Sequence, residues 1–182
     1  MVTESDIIEG CKKYKSKYQQ ALYKKYAPEM KAVCSLYIKD TDDLKDVLQD
    51  GFIKVFEKIE SFKYEHSLGG WIRTIIVNTA LNFLRDNNKL NAVSFDEELD
   101  FTDESSNDNE LDQLIGNLDG DSIHQAIAEL ETKFRLVFSM FYLEDLSHKE
   151  IASKLNITEQ LSRVRLNRSK LALKEALMNI KY

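Results

Sequence analysis

The chain is short of turn formers: one proline and six glycines in 182 residues. An all-β protein needs a turn signal about every 8–12 residues, so this scarcity argues for an all-α fold. Cysteine is also sparse. Cys11 and Cys34, with the scattered His66, His124 and His148, make no metal-ligand spacing and no disulfide framework, which fits a reduced, cytoplasmic setting. Neither a metal nor another cofactor is expected. No uncharged apolar run approaches the roughly 18 residues of a membrane span. Met1–Asp6 lacks the basic patch and apolar stretch of a signal peptide. A phosphate loop, a nucleophile elbow and a paired catalytic constellation are all missing, so an enzyme is not expected. What is present is an ordinary apolar share of 43%, too high for a disordered chain.

The charge is unevenly spread. Asp96–Asp121 holds eleven Asp or Glu and no Lys or Arg. Removing those eleven negative charges from the net −6 leaves +5 for the rest of the chain. Residues 1–92 and 122–182 therefore read as two helical modules, joined by an acidic linker over 93–121. Like-charge blocks are solvated and extended. This one is either an inert spacer or holds a short amphipathic anchor helix: Leu111, Leu114, Ile115 and Leu118 fall at i, i+3, i+4 and i+7, although Gly116 weakens that reading.

In the first module, Asp43–Glu60 has the clearest helical period. Leu44, Val47, Leu48, Phe52, Val55, Phe56 and Ile59 share one face, and Thr41 or Asp42 can cap the start. The other face carries Asp43, Asp46, Gln49 and Asp50 around Ile53. That stripe is either a solvated surface or a contact patch for a basic partner helix. Pro28 suggests a helix break near Ala27. Ser61–Gly70 reads as a loop carrying Phe62, Lys63, Tyr64 and His66. The next helix, Trp71–Arg85, buries Ile72, Ile75, Ile76, Thr79 and Phe83 and presents Thr74, Asn78, Asn82 and Arg85. These polar residues are ordinary surface, or they hold an unstacked base by amide contacts beside an aromatic loop.

The second module carries a helix-turn-helix pattern. Ser147 and Glu150 form a capping box; Ile151, Ala152 and Leu155 give a short buried face. Asn156 suits a left-handed turn, Ile157 plugs the core and Thr158 caps the second helix. That helix holds Arg163, Arg165, Arg168, Lys170 and Lys174 opposite an inward stripe of Ser162, Leu166, Ser169 and Leu173. A short helix, a tight turn and a basic second helix fit a major groove. Ser147–Tyr182 alone carries eight Lys or Arg against three Glu.

Taken in order, these motifs resemble bacterial sigma factors of the extracytoplasmic-function group, over nearly the whole chain. Asp42–Phe56 is similar to the family's helix that docks on the β′ clamp helices of RNA polymerase, Gly70–Arg85 to its −10 helix, and Tyr142–Leu155 to the first helix of its −35 motif. The resemblance implies a sigma factor that binds core polymerase through the β′ and β subunits, recognises −10 and −35 promoter DNA, and works in the cytoplasm at the nucleoid. It implies core binding by Asp43, Asp46, Gln49, Asp50 and Ile53. The −10 contacts expected are Phe62, Lys63, Tyr64, His66, Trp71, Asn78, Asn82 and Arg85. Arg163, Asn167 and Arg168 are the expected −35 base contacts, and Lys149, Arg165 and Lys170 the phosphate contacts. An anti-sigma factor is a further candidate partner.

The chain departs from the family pattern at Gln160-Leu161, where Gly-Thr is usual, at Val164, and at Leu130-Glu131, where Leu-Pro is usual. Leu161 and Val164 either touch thymine methyls or mark weakened −35 reading helped by an accessory protein that positions the factor on DNA. The competing functional class is a helix-turn-helix regulator with an N-terminal sensing domain.

Overall fold

The computed structural model describes residues 2–65, 67–87 and 119–180. The chain divides after Asp86 into two compact units. Every regular element among the described residues is helical.

The first unit opens with α1 (Glu4–Lys12), which the sequence reading did not place. Its signal is local: the Thr3 hydroxyl accepts from Asp6 N–H at 3.1 Å, and the Asp6 carboxylate accepts from Thr3 N–H at 2.9 Å. The chain turns at Tyr14, in a left-handed conformation with φ 53°, and enters α2 (Ser16–Ser35). The break expected at Ala27 is absent, because α2 runs straight through Pro28. Pro28 and Lys24 are both exposed, so the Lys24 carbonyl that loses its intrahelical donor faces water.

Helix α3 (Thr41–Lys58) is capped by Asp40 rather than by Thr41 or Asp42; its carboxylate accepts from Asp42 and Asp43 N–H. Leu44, Val47, Leu48, Phe52 and Val55 are buried as the period requires, Phe56 is half-buried, and Ile59 falls in a 3-10 turn, Ile59–Ser61. Helix α4 (Leu68–Asp86) starts earlier than Trp71 and takes Gly69 and Gly70, expected in the loop, into its first turn. The Ser67 hydroxyl accepts from Gly70 N–H at 3.1 Å, a cap that offsets the weak helical preference of glycine. Ile72, Ile76 and Thr79 are buried as expected. Ile75 and Phe83 are only half-buried, and Val77, Ala80, Leu81 and Leu84 complete the inner face. Helix α4 packs on both α2 and α3, which widens and rotates its buried arc.

Two glycines make room for neighbours where these helices meet. A Cβ on Gly51 would meet Ile76 Cδ1 at 2.5 Å but the Ile76 Cα only at 3.6 Å, so glycine makes room for the tip of Ile76 where α3 and α4 cross. A Cβ on Gly10 would lie 2.1 Å from Tyr18 Cγ and 2.7 Å from its Cβ, where α1 folds back on α2.

The second unit comprises α5 (Gly120–Glu129), α6 (Thr132–Tyr142), α7 (His148–Leu155) and α8 (Glu159–Ile180). Asp119 caps α5 by accepting from Ser122 N–H at 2.9 Å, so ordered helix begins inside the expected linker rather than after it. Arg135, 1% exposed, closes the α5–α6 corner. It donates to the carbonyls of Leu130 at 2.7 Å and Ala128 at 3.4 Å and to the Thr132 hydroxyl at 3.3 Å. The helix-turn-helix forms as read: the Ser147–Glu150 capping box, Asn156 at φ 54° and ψ 47°, and the Thr158 hydroxyl accepting from Leu161 N–H at 3.0 Å. Ile157 is half-buried beneath that turn.

Gly10→Ala should lower the stability of the first unit by about 1–3 kcal/mol, because the Tyr18 ring root cannot swing away. Gly51→Ala should cost less: Ile76 Cδ1 is the end of a flexible side chain, and alanine gains about 0.5–1 kcal/mol of helix preference. Denaturant unfolding followed by Trp71, the single tryptophan, reads this unit directly. Equal losses would show that the two crossings are equally rigid.

Candidate functional site

Three surfaces carry the residues singled out by sequence. The first is the outer face of α3. Asp46, Gln49 and Asp50 are exposed, Asp43 is half-buried, and Ile53 stands 47% exposed among them. A cleft of about 400 Å³ opens beside Ile53, lined by Tyr23, Lys45, Leu48, Gln49, Phe52 and Phe56. Tyr23 stands 45% exposed with its ring edge-on to Phe52 at 4.8 Å. Sequence reasoning missed Tyr23, because its place beside α3 depends on the α2–α3 packing.

The second surface is the loop before α4 and the flank of α4 itself. Phe62 is buried, 5% exposed, with Trp71 edge-on at 5.4 Å and Tyr64 edge-on at 5.6 Å. It therefore supports the loop from below and is no stacking platform, which corrects its expected role: a ring this apolar is drawn under the loop once Trp71 offers a neighbour. Tyr64 is 58% exposed and Lys63 is exposed. His66 lies outside the described residues. Trp71 is half-buried and walls a cleft of about 390 Å³ shared with Ser67, Gly70 and Thr74. The Thr74 hydroxyl donates to the Gly70 carbonyl at 3.0 Å, which leaves its lone pairs for an incoming donor. Asn78, Asn82 and Arg85 continue along the helix from Thr74, and Arg85 donates to Asn82 Oδ1 at 2.9 Å. Ser67, expected in the loop, and Gly70, at the start of the segment resembling the −10 helix, were not singled out as contacts by sequence.

The third surface is α8 with the start of α7. Lys149 and Arg163 are exposed, and Asn167 and Arg168 are half-buried. Arg163 pairs with Glu159 at 3.4 Å. Two expected phosphate contacts are corrected. Arg165 is 0% exposed and Lys170 only 9%, with the Lys170 amine 5.9 Å above the Tyr142 ring. Helix α8 packs on α5, α6 and α7, so its buried arc extends past Ser162, Leu166, Ser169 and Leu173 to take in both cations. His148 ties the two motif helices: Nδ1 lies 2.9 Å from Ser162 Oγ, and the ring stacks on Phe141 at 4.9 Å. Burial, with help from Arg163 and Lys170 and against the pull of Glu159, holds its pKa below the usual histidine value. The linker anchor, Leu111, Leu114, Ile115 and Leu118, lies outside the described residues.

Comparison with known proteins places these surfaces in a family. The model of Sigma-70 region 2 matches residues 22–90. The model of Sigma-70 region 4 matches residues 120–173. The RNA polymerase sigma factor SigV of Bacillus subtilis is 26% identical over 133 residues, covering 73% of this chain and 75% of that protein. The ECF RNA polymerase sigma-E factor of Haemophilus influenzae is 26% identical over 179 residues, covering 93% of this chain and 92% of that protein. The chain belongs to the extracytoplasmic-function sigma factors. The structure of the sigma factor RpoE from Bartonella quintana, solved with the anti-sigma factor NepR, is similar at TM-score 0.48 and 19% identity, covering 87% of this chain and 96% of that one. As an alternative sigma factor the chain works with core RNA polymerase and promoter DNA. The region 2 match occupies the place where the competing regulator reading needs a sensing domain. No helix among the described residues is long and apolar enough to cross a membrane.

His148 makes the helix-turn-helix sensitive to acid. Its folded pKa lies below the unfolded value of about 6.5, so between the two the unfolded chain binds more protons. The contribution of neutral His148 is complete above about pH 6.5 and is lost as pH falls through the folded pKa. Unfolding of wild type and His148→Gln compared from about pH 5 to 7.5 should show the steeper acid loss in wild type. Parallel curves would mean that the proton is taken up without cost.

Proposed function

We propose that α3 docks on core polymerase through Asp43, Asp46, Gln49, Asp50 and Ile53, with Tyr23 extending the contact along the adjoining cleft. The observation that carries this reading is an apolar side chain, half exposed, ringed by carboxylates beside an open aromatic groove. A basic partner helix bearing one apolar anchor complements that surface in both charge and shape. The flank of α4 then takes the melted −10 strand. Trp71 and Tyr64 supply flat faces, Ser67 and Thr74 supply hydroxyls, Asn78 and Asn82 supply amides, and Lys63 and Arg85 supply charge. On α8, Arg163, Asn167 and Arg168 read −35 base edges while Lys149 contacts phosphate. The protein acts by binding rather than catalysis, in the cytoplasm. The acidic segment links the two DNA-reading units, and an anti-sigma factor would regulate it by covering the α3 face.

Reversing Asp46 and Asp50 to Lys should abolish capture of core polymerase, since disrupting interfacial charge pairs typically costs about 2–5 kcal/mol. Both side chains are exposed, so the circular dichroism and melting of the variant should match wild type. Undiminished capture would sink the assignment of this face.

On the −35 side, Arg168→Ala should relax base preference at one position and cost about 1–3 kcal/mol. Lys149→Ala should weaken all sequences alike and lower the salt slope by about one. Selection of −35 sequences by the two holoenzymes separates these outcomes. An unchanged Arg168→Ala motif would move base reading elsewhere on α8.

A further inference from the structure

Helix α1 precedes the segment matched by the region 2 model, which begins at residue 22. It nevertheless grips the loop that carries Tyr64. The Tyr64 hydroxyl donates to Glu9 Oε1 at 3.1 Å. The Lys12 amine lies 5.3 Å over the Tyr64 ring and 3.2 Å from the same Glu9 oxygen. A second link runs in the opposite direction: the Tyr14 hydroxyl, from the turn after α1, reaches Glu60 Oε1 at 3.4 Å in the 3-10 turn before the loop. Tyr14 holds a left-handed backbone, φ 53°, where glycine is the usual choice. Two tyrosine-to-glutamate bonds thus cross between the α1 corner and the two ends of the Ile59–Tyr64 segment.

What they hold is a line of rings. Tyr64 lies edge-on to Phe62, and Phe62 edge-on to Trp71, which walls the cleft with Ser67, Gly70 and Thr74. Phe62 is buried, so the inner end of the line is fixed by packing. The outer ring, 58% exposed, depends on polar contacts for its pose. An exposed tyrosine without such contacts samples several rotamers, and ordering one on binding opposes binding. The Glu9 carboxylate is well suited to the task. Lys12 and Tyr64 both hold it below the ordinary glutamate range, so it stays an ionised acceptor.

We propose that Glu9, with Lys12, is a positioning residue for promoter opening: it presets the Tyr64 ring for the melted −10 strand without touching DNA. The inference rests on the assignment of Tyr64 to that strand, and the test keeps the two apart.

Holoenzymes carrying Glu9→Ala, Tyr64→Phe, their combination and Tyr64→Ala are compared by permanganate reactivity of −10 thymines and by affinity for closed promoter DNA. Tyr64→Phe keeps the ring and removes only the hydroxyl. If Glu9 acts through that bond, Glu9→Ala, which removes the acceptor, and Tyr64→Phe each reduce open complex about two- to tenfold, the scale of one hydrogen bond. The double variant then loses no more than either single one. Closed-complex affinity and the melting temperature of the free protein stay at wild-type values, which a merely structural role for Glu9 would not allow. Full open complex with Glu9→Ala, while Tyr64→Ala is defective, overturns the positioning role and leaves the strand contact standing. Normal opening with Tyr64→Ala overturns the strand assignment itself, and the positioning role falls with it. A gain in open complex with Tyr64→Phe would show that Glu9 holds the ring away from the strand, and would equally overturn the proposal.

Discussion

The close crossing of α3 and α4 governs the first unit. Gly51 makes room there for the tip of the Ile76 side chain. Both helices also pack on α2, so these crossings together fix the faces left over. On α3 the remainder is the acidic arc around Ile53; on α4 it is the Thr74, Asn78 and Asn82 strip. Neither surface needs its own scaffold. A change in that crossing would shift the two proposed contact faces relative to each other.

The second unit solves a different problem, that of holding a short recognition motif on a small core. Buried polar groups do much of this work. Arg135 supplies donors to carbonyls of the α5–α6 connection, at a corner where the usual proline is replaced by Glu131. Burial lowers its pKa, yet guanidinium groups start so high that it stays charged. His148 joins α7 to α8 through Ser162. Both devices set helix angles through directed bonds where apolar contacts alone would allow sliding.

Much of this was legible in the sequence, and for identifiable reasons. The Ser147 capping box, the left-handed Asn156 and the α3 period are local properties, and local physics decides them. The misreadings share a cause: packing from several sides. Arg165 and Lys170 look like surface cations on a helical wheel, but α8 is covered by three helices and its buried arc is broad. Phe62 looks like a stacking ring until Trp71 is seen to cover it. Pro28 reads as a break only if its freed carbonyl must be buried, and it faces water. Ser67 was passed over because a Gly-Gly pair signals a loop, whereas here Ser67 caps a helix that begins at Leu68. The Tyr64–Glu9 and Tyr14–Glu60 contacts span 55 and 46 residues and have no local signature.

The two surfaces proposed to read DNA differ in chemistry, and the difference matches what each would have to do. The α8 surface presents Arg163, Arg168 and Lys149, groups that attract duplex phosphates at a distance and depend on salt. The α4 surface is built mainly from hydroxyls, amides and rings. Such groups exert little long-range pull on a duplex whose bases are stacked. They become effective once a base is exposed, because stacking and edge contacts are short-ranged and need an open π-face. Weak attraction for closed DNA is thus an advantage at this site. Every contact that favours the separated strand over the paired one adds to melting, whereas a strongly cationic face would hold both states alike and open neither.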